Sequence, residues 1–283
     1  MDEHTLETTM TENRFRTPGP VTLYVENGSG SVTVTATETE ESTVDVTGSD
    51  ADEVSVTEEN GHLSVVAPRR RTGFFTGDTA LHMRITMPTG SEMMVKTGSA
   101  DVTVYGTVGP AQVKSGSGQV QLDQLAGPAQ VETGSGDVTV DVARSELRVK
   151  SGSGDVTVTR TQSAVAVSTG SGDVRLGTTS GPAVVKTGSG DFRVVEAGDD
   201  VSMSSGSGDL LVETARRGKF TLKAASGDVR IGIPAGISVW TDINTLSGRI
   251  RSDLDGAGEP TGGAEHIEVR AKTVSGDVVL TQV

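Results

Sequence analysis

The stretch SGSGDVTVTRTQSAVAVSTGSGDVRL, residues 151–176, holds one complete structural repeat and the start of the next. Gly152-Ser153-Gly154-Asp155 is followed by an alternating run, Val156 and Val158. A second alternating run, Val165 and Val167, then leads into Gly170-Ser171-Gly172-Asp173. Alternation at period two is the mark of a half-buried strand, and a glycine cluster between two such runs marks a tight turn. The unit is therefore strand, turn, strand, turn in 18 residues.

Working outward, tripeptides ending at Ala100, Gly118, Gly136, Gly154, Gly172, Gly190 and Gly208, Gly-Ser-Ala once and Gly-Ser-Gly six times, lie always 18 residues apart. Four apolar columns keep that register. After the turn run Val102, Val120, Val138, Val156, Val174, Phe192 and Leu210, then Val104, Leu122, Val140, Val158, Leu176, Val194 and Val212. Before it run Met93, Ala111, Ala129, Leu147, Val165, Ala183 and Val201, then Val95, Val113, Val131, Val149, Val167, Val185 and Met203. A fixed period with matching columns is the signature of a solenoid. The fold class is all-β, a single-chain β-solenoid of 18-residue coils with an N-terminal β cap.

Energetics require stacking. Four mostly small apolar side chains give roughly 6–12 kcal/mol when buried, whereas ordering 18 backbones costs about 18–36 kcal/mol. A single coil cannot stand alone, so neighbours must supply ladder hydrogen bonds and the floor and ceiling of the core. The Gly-Ser-Gly turn must be tight because successive backbones superpose at ~4.8 Å. The second turn, near Gly109-Pro110, Gly127-Pro128, Arg144-Ser145, Gln162-Ser163, Gly181-Pro182 and Gly198-Asp199, is looser in sequence and is expected to point outward. Beyond Gly208, Ser226-Gly227-Asp228, Ser247-Gly248-Arg249 and Ser275-Gly276-Asp277 follow at 19, 21 and 28 residues, with the extra length expected in outer turns, notably Asp253 to Ala264.

The domain reading is 1–14 disordered, 15–90 an N-terminal β cap, and 91–283 solenoid repeats. In the cap, alternating strands are expected at Val21–Val25, Val32–Thr35, Val44–Val46, Val54–Val56 and Leu63–Val66, close enough to form hairpins.

Composition bounds the function. Glycine, at 37 residues, is about twice its usual share, and aromatics make up only 3%. The net charge of −14 lacks the basic footprint that nucleic acid requires. Without cysteine there are no disulfides, thiolate metal sites or thiol nucleophiles. Met1 to Thr11 is acidic and polar, unlike a secretory signal, and no apolar run approaches a membrane span. The expected location is the cytoplasm, with the cell surface open only to a chain whose native export signal had been removed.

With these motifs in place, the chain resembles the bacterial putative-adhesin family of β-strand-repeat proteins, a domain of unknown function. The [ST]-G-S-G-D-V units from Gly116 to Leu210 carry the resemblance, with Pro88-Thr89-Gly90 and Thr273-Val274-Ser275-Gly276-Asp277-Val278. It implies a β-solenoid over roughly residues 15–283 and brings no catalytic residues.

Several columns are candidate sites. Asp101, Asp137, Asp155, Asp173, Asp191 and Asp209 form an outward carboxylate ladder, interrupted by Gln119 and faced by Lys96, Lys114, Lys150 and Lys186. The reading favoured is a solvated turn residue that also satisfies local backbone N–H groups. The sharper one is calcium at Asp137, Asp155, Asp173, Asp191 and Asp209. Calcium β-rolls, however, use Gly-Gly-x-Gly-x-Asp units with a different spacing. The Ser99–Ser207 and Thr97–Ser205 columns read as structural hydroxyls. His4, His62, His82 and His266 have no metal-ligand spacing. Trp240, in a coil strand, is expected in the core.

One loop stands outside the repeat: Arg69-Arg70-Arg71-Thr72-Gly73-Phe74-Phe75 sets three cations beside two aromatics. Phe74 and Phe75 are expected to plug the solenoid end. The alternative is that Arg69, Arg70, Arg71, Phe74 and Phe75 form an interaction surface. No catalytic or cofactor-binding residue is nominated. The functional expectation is a non-enzymatic interaction or scaffold protein that binds a protein or cell-envelope component. The alternative is a carbohydrate- or surface-binding adhesin, and a polysaccharide-active β-helix enzyme ranks third. Open solenoid ends offer a route to self-association.

Overall fold

The computed structural model describes residues 9–68, 80–254 and 266–283. The chain divides into two compact units, Met1–Thr139 and Val140–Val283. Among the described residues the regular structure is β-strand, apart from one 3-10 turn at Ala51–Glu53.

Within each unit successive coils pair in parallel and in register. One sheet carries the strands leading into the Gly-Ser-Gly turn, the other the strands leaving it. In the second unit, Val149, Val167, Val185 and Met203 stand opposite one another on the leading sheet. Val156, Val174, Phe192 and Leu210 do so on the trailing sheet. In the first unit Val95, Val113 and Val131 repeat the arrangement. The four columns expected from the sequence are the core, and Val102, Val120, Val174 and Val194 are fully buried.

The glycines are required by close approach. A Cβ on Gly118, Gly136, Gly172 or Gly190 would lie 2.0–2.1 Å from a carbonyl oxygen of the preceding coil, a distance no side chain can occupy. The second turn differs from expectation because it stacks too. A Cβ on Gly109 would meet Gly90 O at 2.5 Å, and one on Gly181 would meet the Ser163 carbonyl carbon at 2.6 Å. A fifth inward column accompanies it: Val108 and Leu125 in the first unit, then Ala143, Thr161, Thr179, Ala197 and Ala215 in the second, each at most 1% exposed. Strict alternation does not reveal this column. It lies beyond a local break in the ladder: Thr159 and Gly177 drop out together between Val158–Leu176 and Arg160–Thr178, and the register shifts by one between Leu122–Val104 and Gln124–Thr107. A bulge of this kind returns a side chain to the same face three residues on.

The N-terminal segment holds the main topological departure. Strands β1 (Thr9–Arg16), β2 (Thr22–Asn27), β3 (Gly30–Thr37), β4 (Glu41–Gly48), β5 (Ser55–Glu59), β6 (His62–Val66), β7 (Leu81–Pro88), β8 (Glu92–Thr97) and β9 (Asp101–Val108) build it. Coil β2/β3, with its turn at Asn27–Gly30, is a true solenoid layer: β2 pairs in parallel with both β6 and β8, and β3 with both β7 and β9. The first coil in the chain is therefore the second in the stack, covered on its outer side by β6/β7. Two closures finish this end. Hairpin partner β5 pairs antiparallel with β6, and β4 pairs antiparallel with β7 and with β1. Among the described residues only β5 and β6 form a hairpin, across Asn60-Gly61. Disorder through residue 14 is corrected for residues 9–14, which lie in β1 with Phe15 opposite Ser42.

The C-terminal end repeats the same device, correcting the expected order of coils. The strand Gly218–Ser226 pairs with His266–Ser275, which in turn pairs with Ser238–Thr245. On the trailing sheet, Val229–Ile233 pairs with Val278–Gln282, which pairs with Ile250–Ser252. The last coil of the chain thus inserts between its two predecessors. The 28-residue spacing reflects a skipped layer and not only a longer outer turn.

Candidate binding faces and the aspartate ladder

Most repeat turns are held from both sides; Thr97 and Ser205, in the same inner column, leave their hydroxyls without a hydrogen-bond partner. On the inner side the buried Ser/Thr column closes it: Ser115 Oγ and Ser151 Oγ donate to Gly118 O and Gly154 O, both at 2.9 Å. Thr133, Thr169 and Thr187 Oγ1 instead accept from the N–H of Gly136, Gly172 and Gly190 at 2.9–3.1 Å. These hydroxyls are structural.

On the outer side, the aspartates form a ladder of hydrogen bonds to backbone. Asp155 Oδ1 accepts from Asp173 N at 2.9 Å, Asp173 Oδ1 from Asp191 N at 2.9 Å, and Asp191 Oδ1 from Asp209 N at 2.8 Å. The ladder continues through Asp228 and then Asp277, following the stack and not the chain, to Arg249 N. Repulsion between carboxylates ~5 Å apart in water is about 0.8 kcal/mol. A hydrogen bond to a charged acceptor offsets it with about 1.5 kcal/mol, the low end for exposed groups. Cations add to this: Arg175 bridges Asp155 Oδ2 and Asp173 Oδ2 at 3.1 and 2.9 Å, and Arg230 contacts Asp228 Oδ2 at 2.8 Å. Thus Asp155, Asp173, Asp191 and Asp209 each commit one oxygen to the next coil. Among the described residues no cluster of three or more His, Asp or Glu side chains is placed to hold a metal ion.

The remaining candidates separate. His62, His82 and His266 lie on different strands, and His82 Nδ1 is 2.9 Å from Ser31 Oγ. His4 and the whole Arg69–Phe75 loop, including Arg70, Arg71 and Phe74, lie outside the described residues. The core expectation for Trp240 is corrected. Its strand is the outermost of the leading sheet, and the ring is 51% exposed with the Arg270 guanidinium 5.4 Å from its centroid.

The lysine column on the outer face of the leading sheet proves heterogeneous. In the first unit Lys96 lies against the Tyr24 ring at 5.0 Å and Glu26 at 3.8 Å, and Lys114 pairs with Glu132 at 3.1 Å. In the second unit Lys150, Ser168, Lys186, Ser204, Lys223 and Lys272 stand successively opposite one another. No helix among the described residues is long and apolar enough to cross a membrane.

Parallel coils, buried valine columns and glycine turns of this kind define a class, the β-solenoid repeat proteins. The chain belongs within it to the Toastrack DUF4097 family, whose model matches residues 22–199 and again 130–281. Among curated proteins none matches the chain. Solved structures do. A putative cell adhesion protein from Clostridium sporogenes is 13% identical over 97% of this chain and 100% of its own, with a TM-score of 0.28. A putative adhesin from Bacteroides fragilis is 13% identical over 97% of both, with a TM-score of 0.39. A putative lipid binding protein from Parabacteroides distasonis is 14% identical over 97% and 96%, with a TM-score of 0.38. At such identities and TM-scores the family match is the ground for the assignment.

Proposed function

We propose that the protein is a non-enzymatic interaction module that presents its sheet faces to a cell-envelope component. The observation that supports this is the outer lattice of the coils. Side chains such as Arg148, Lys150, Lys186 and Ser204 stand exposed in straight columns at the strand spacing, on a core packed with valine. A lattice of this kind gives many weak, regularly spaced contacts without a reaction centre, which suits a repetitive partner better than a small substrate. Solved relatives named as adhesins fit this reading.

The test is co-sedimentation of the purified chain with isolated bacterial cell-wall and membrane fractions. Retention on one fraction, saturable and without release of new reducing ends or unsaturated products, is the expected result. Turnover of a polysaccharide, or no retention on any fraction, overturns the proposal.

A further inference from the structure

The lysines of the second unit pose a problem that the fold leaves unanswered. Lys223 and Lys272 stand directly opposite each other on adjacent strands. Like charges in that position are destabilising unless something neutralises them. Neither has an ion pair among the described residues, and neither does Lys186 two layers back. This contrasts with Lys114, which has its own carboxylate at Glu132.

The track has a regular geometry. Lys150, Lys186 and Lys223 are each two layers apart, about 10 Å, with Ser168 and Ser204 between them. From Lys150 to Lys272 the column covers about 24 Å. On one side it is bordered by exposed glycines of the turns, Gly170, Gly188 and Gly206. On the other runs a strip of small side chains, Ala166, Val184, Ser202 and Thr221, each beside the next. Arg148 and Arg270 stand at the two ends of that strip, and between them nothing bulky stands beside the lysines, so an extended chain could lie along the column. At its far end Lys219, Thr221, Lys223, Asp242, Arg270 and Lys272 line a shallow cavity of about 340 Å³. The half-exposed Trp240 ring flanks it.

We propose that this track binds a linear acidic polysaccharide, one carrying carboxylate or sulfate groups on alternate sugars. This deepens the interaction-module reading and rests on it. Cations about 10 Å apart meet acids on every second ring of an extended chain, and the intervening Ser168, Ser204 and Thr221 hydroxyls suit a ligand rich in hydroxyls. Trp240, fixed on one side by Arg270, offers a platform for an apolar sugar face. An acidic peptide fits less well, because the track crosses the strands and offers no backbone edge for pairing. An anionic membrane would need a basic plane, whereas here a line of cations is set in a chain of net charge −14.

Binding is to be measured by calorimetry at low salt with hyaluronan, using dextran, polyglutamate and phosphatidylglycerol vesicles for comparison. Hyaluronan is expected to bind, to weaken with added salt, and to lose about tenfold affinity for each of Lys186→Glu and Lys223→Glu. Trp240→Ala should weaken binding as well, and Glu268→Gln should strengthen it by removing the acid beside Lys219 and Arg270. Arg160→Glu, the same charge change on the exposed face of the other sheet, should leave binding unchanged. Lys186, Lys223, Trp240 and Arg160 are exposed and Glu268 is half-buried, and unchanged melting temperatures near neutral pH verify that the variants fold. No hyaluronan binding, binding indifferent to Lys186→Glu and Lys223→Glu, or tighter binding to vesicles or polyglutamate overturns the assignment. If the Lys223→Glu chain is still retained on an envelope fraction, the interaction module survives and the track does not.

Discussion

The outermost layers of the two units, one near each chain terminus, use the same chain path and finish it differently. At the N-terminal end the outermost layer is β6/β7, and Leu63, Val65, Met83, Ile85 and Met87 are each at most 1% exposed. At the C-terminal end the outermost layer is Ser238–Thr245 with Ile250–Ser252, where the inward Ile250 is 51% exposed and the inward Val239 and Ile243 are only half-buried. The difference lies in the closures. Antiparallel β5 and β4 cover the edges of β6 and β7, while no described strand covers Ser238–Thr245 or Ile250–Ser252. Inward position alone therefore does not bury a residue in a solenoid. Ile250 sits in register with the fully buried Val278, yet it lacks a layer on its outer side. The C-terminal end relies instead on a very short edge strand with Arg251 in it, a common way to discourage edge pairing.

That comparison can be broken most severely at Gly30. Its φ is +103°, and a Cβ there would lie 2.2 Å from the Leu81 carbonyl oxygen. Gly30→Val should therefore separate β7 from β3 and cost more than about 4 kcal/mol, enough to unfold the closed end. A loss of cooperative melting in calorimetry, with rapid hydrogen exchange in β6 and β7, is the expected outcome. Native-like melting would show that the out-of-order layer is not essential.

Matched truncations sharpen the contrast. Ile85→Ala, in the closed outer layer, should cost about 2–5 kcal/mol, and Ile250→Ala in the open one about 1 kcal/mol or less. Chemical denaturation of the two variants measures this directly. Equal losses would mean that the C-terminal layer is as well covered in solution as the N-terminal one.

The smallest effect concerns pH at Glu268, one layer inside the open end. Desolvation pushes its carboxyl upward, but hydrogen bonds and charge from Lys219 and Arg270 outweigh it and hold the group below the ordinary carboxylate value. A depressed acid contributes stability above its unfolded value and loses it as pH falls through the lower folded one. Glu268→Gln should slightly flatten the acid limb of a melting-temperature profile, with little change near neutrality. A profile superposable on that of the native chain throughout the acid range would count against this contribution.

Sequence alone determined the repeat. The four valine-rich columns, the glycine turns and the outward aspartates follow from an 18-residue register, because parallel layers at a fixed spacing force equivalent residues to coincide. The aspartates were expected to serve local N–H groups, and it is the stacking that makes their partner the N–H of the next coil. Tertiary structure decided what depends on which layers become neighbours. The fifth inward column needed a bulge, and strict alternation cannot signal one. The inserted first and last coils needed pairings between residues far apart in the chain, such as Gly30 with Leu81 and Ser226 with Ser275. Trp240 looked like core because its strand belongs to a coil, but the pairing sets it opposite Glu268 on the outer face while Val239 and Thr241 stand opposite the buried Ile267 and Val269, so the ring faces out. Charge pairing across layers likewise separates Lys114 from Lys186: the sequence places both in one column, and only the neighbouring strands decide that Lys114 meets Glu132 while Lys186 meets Ser168 and Ser204.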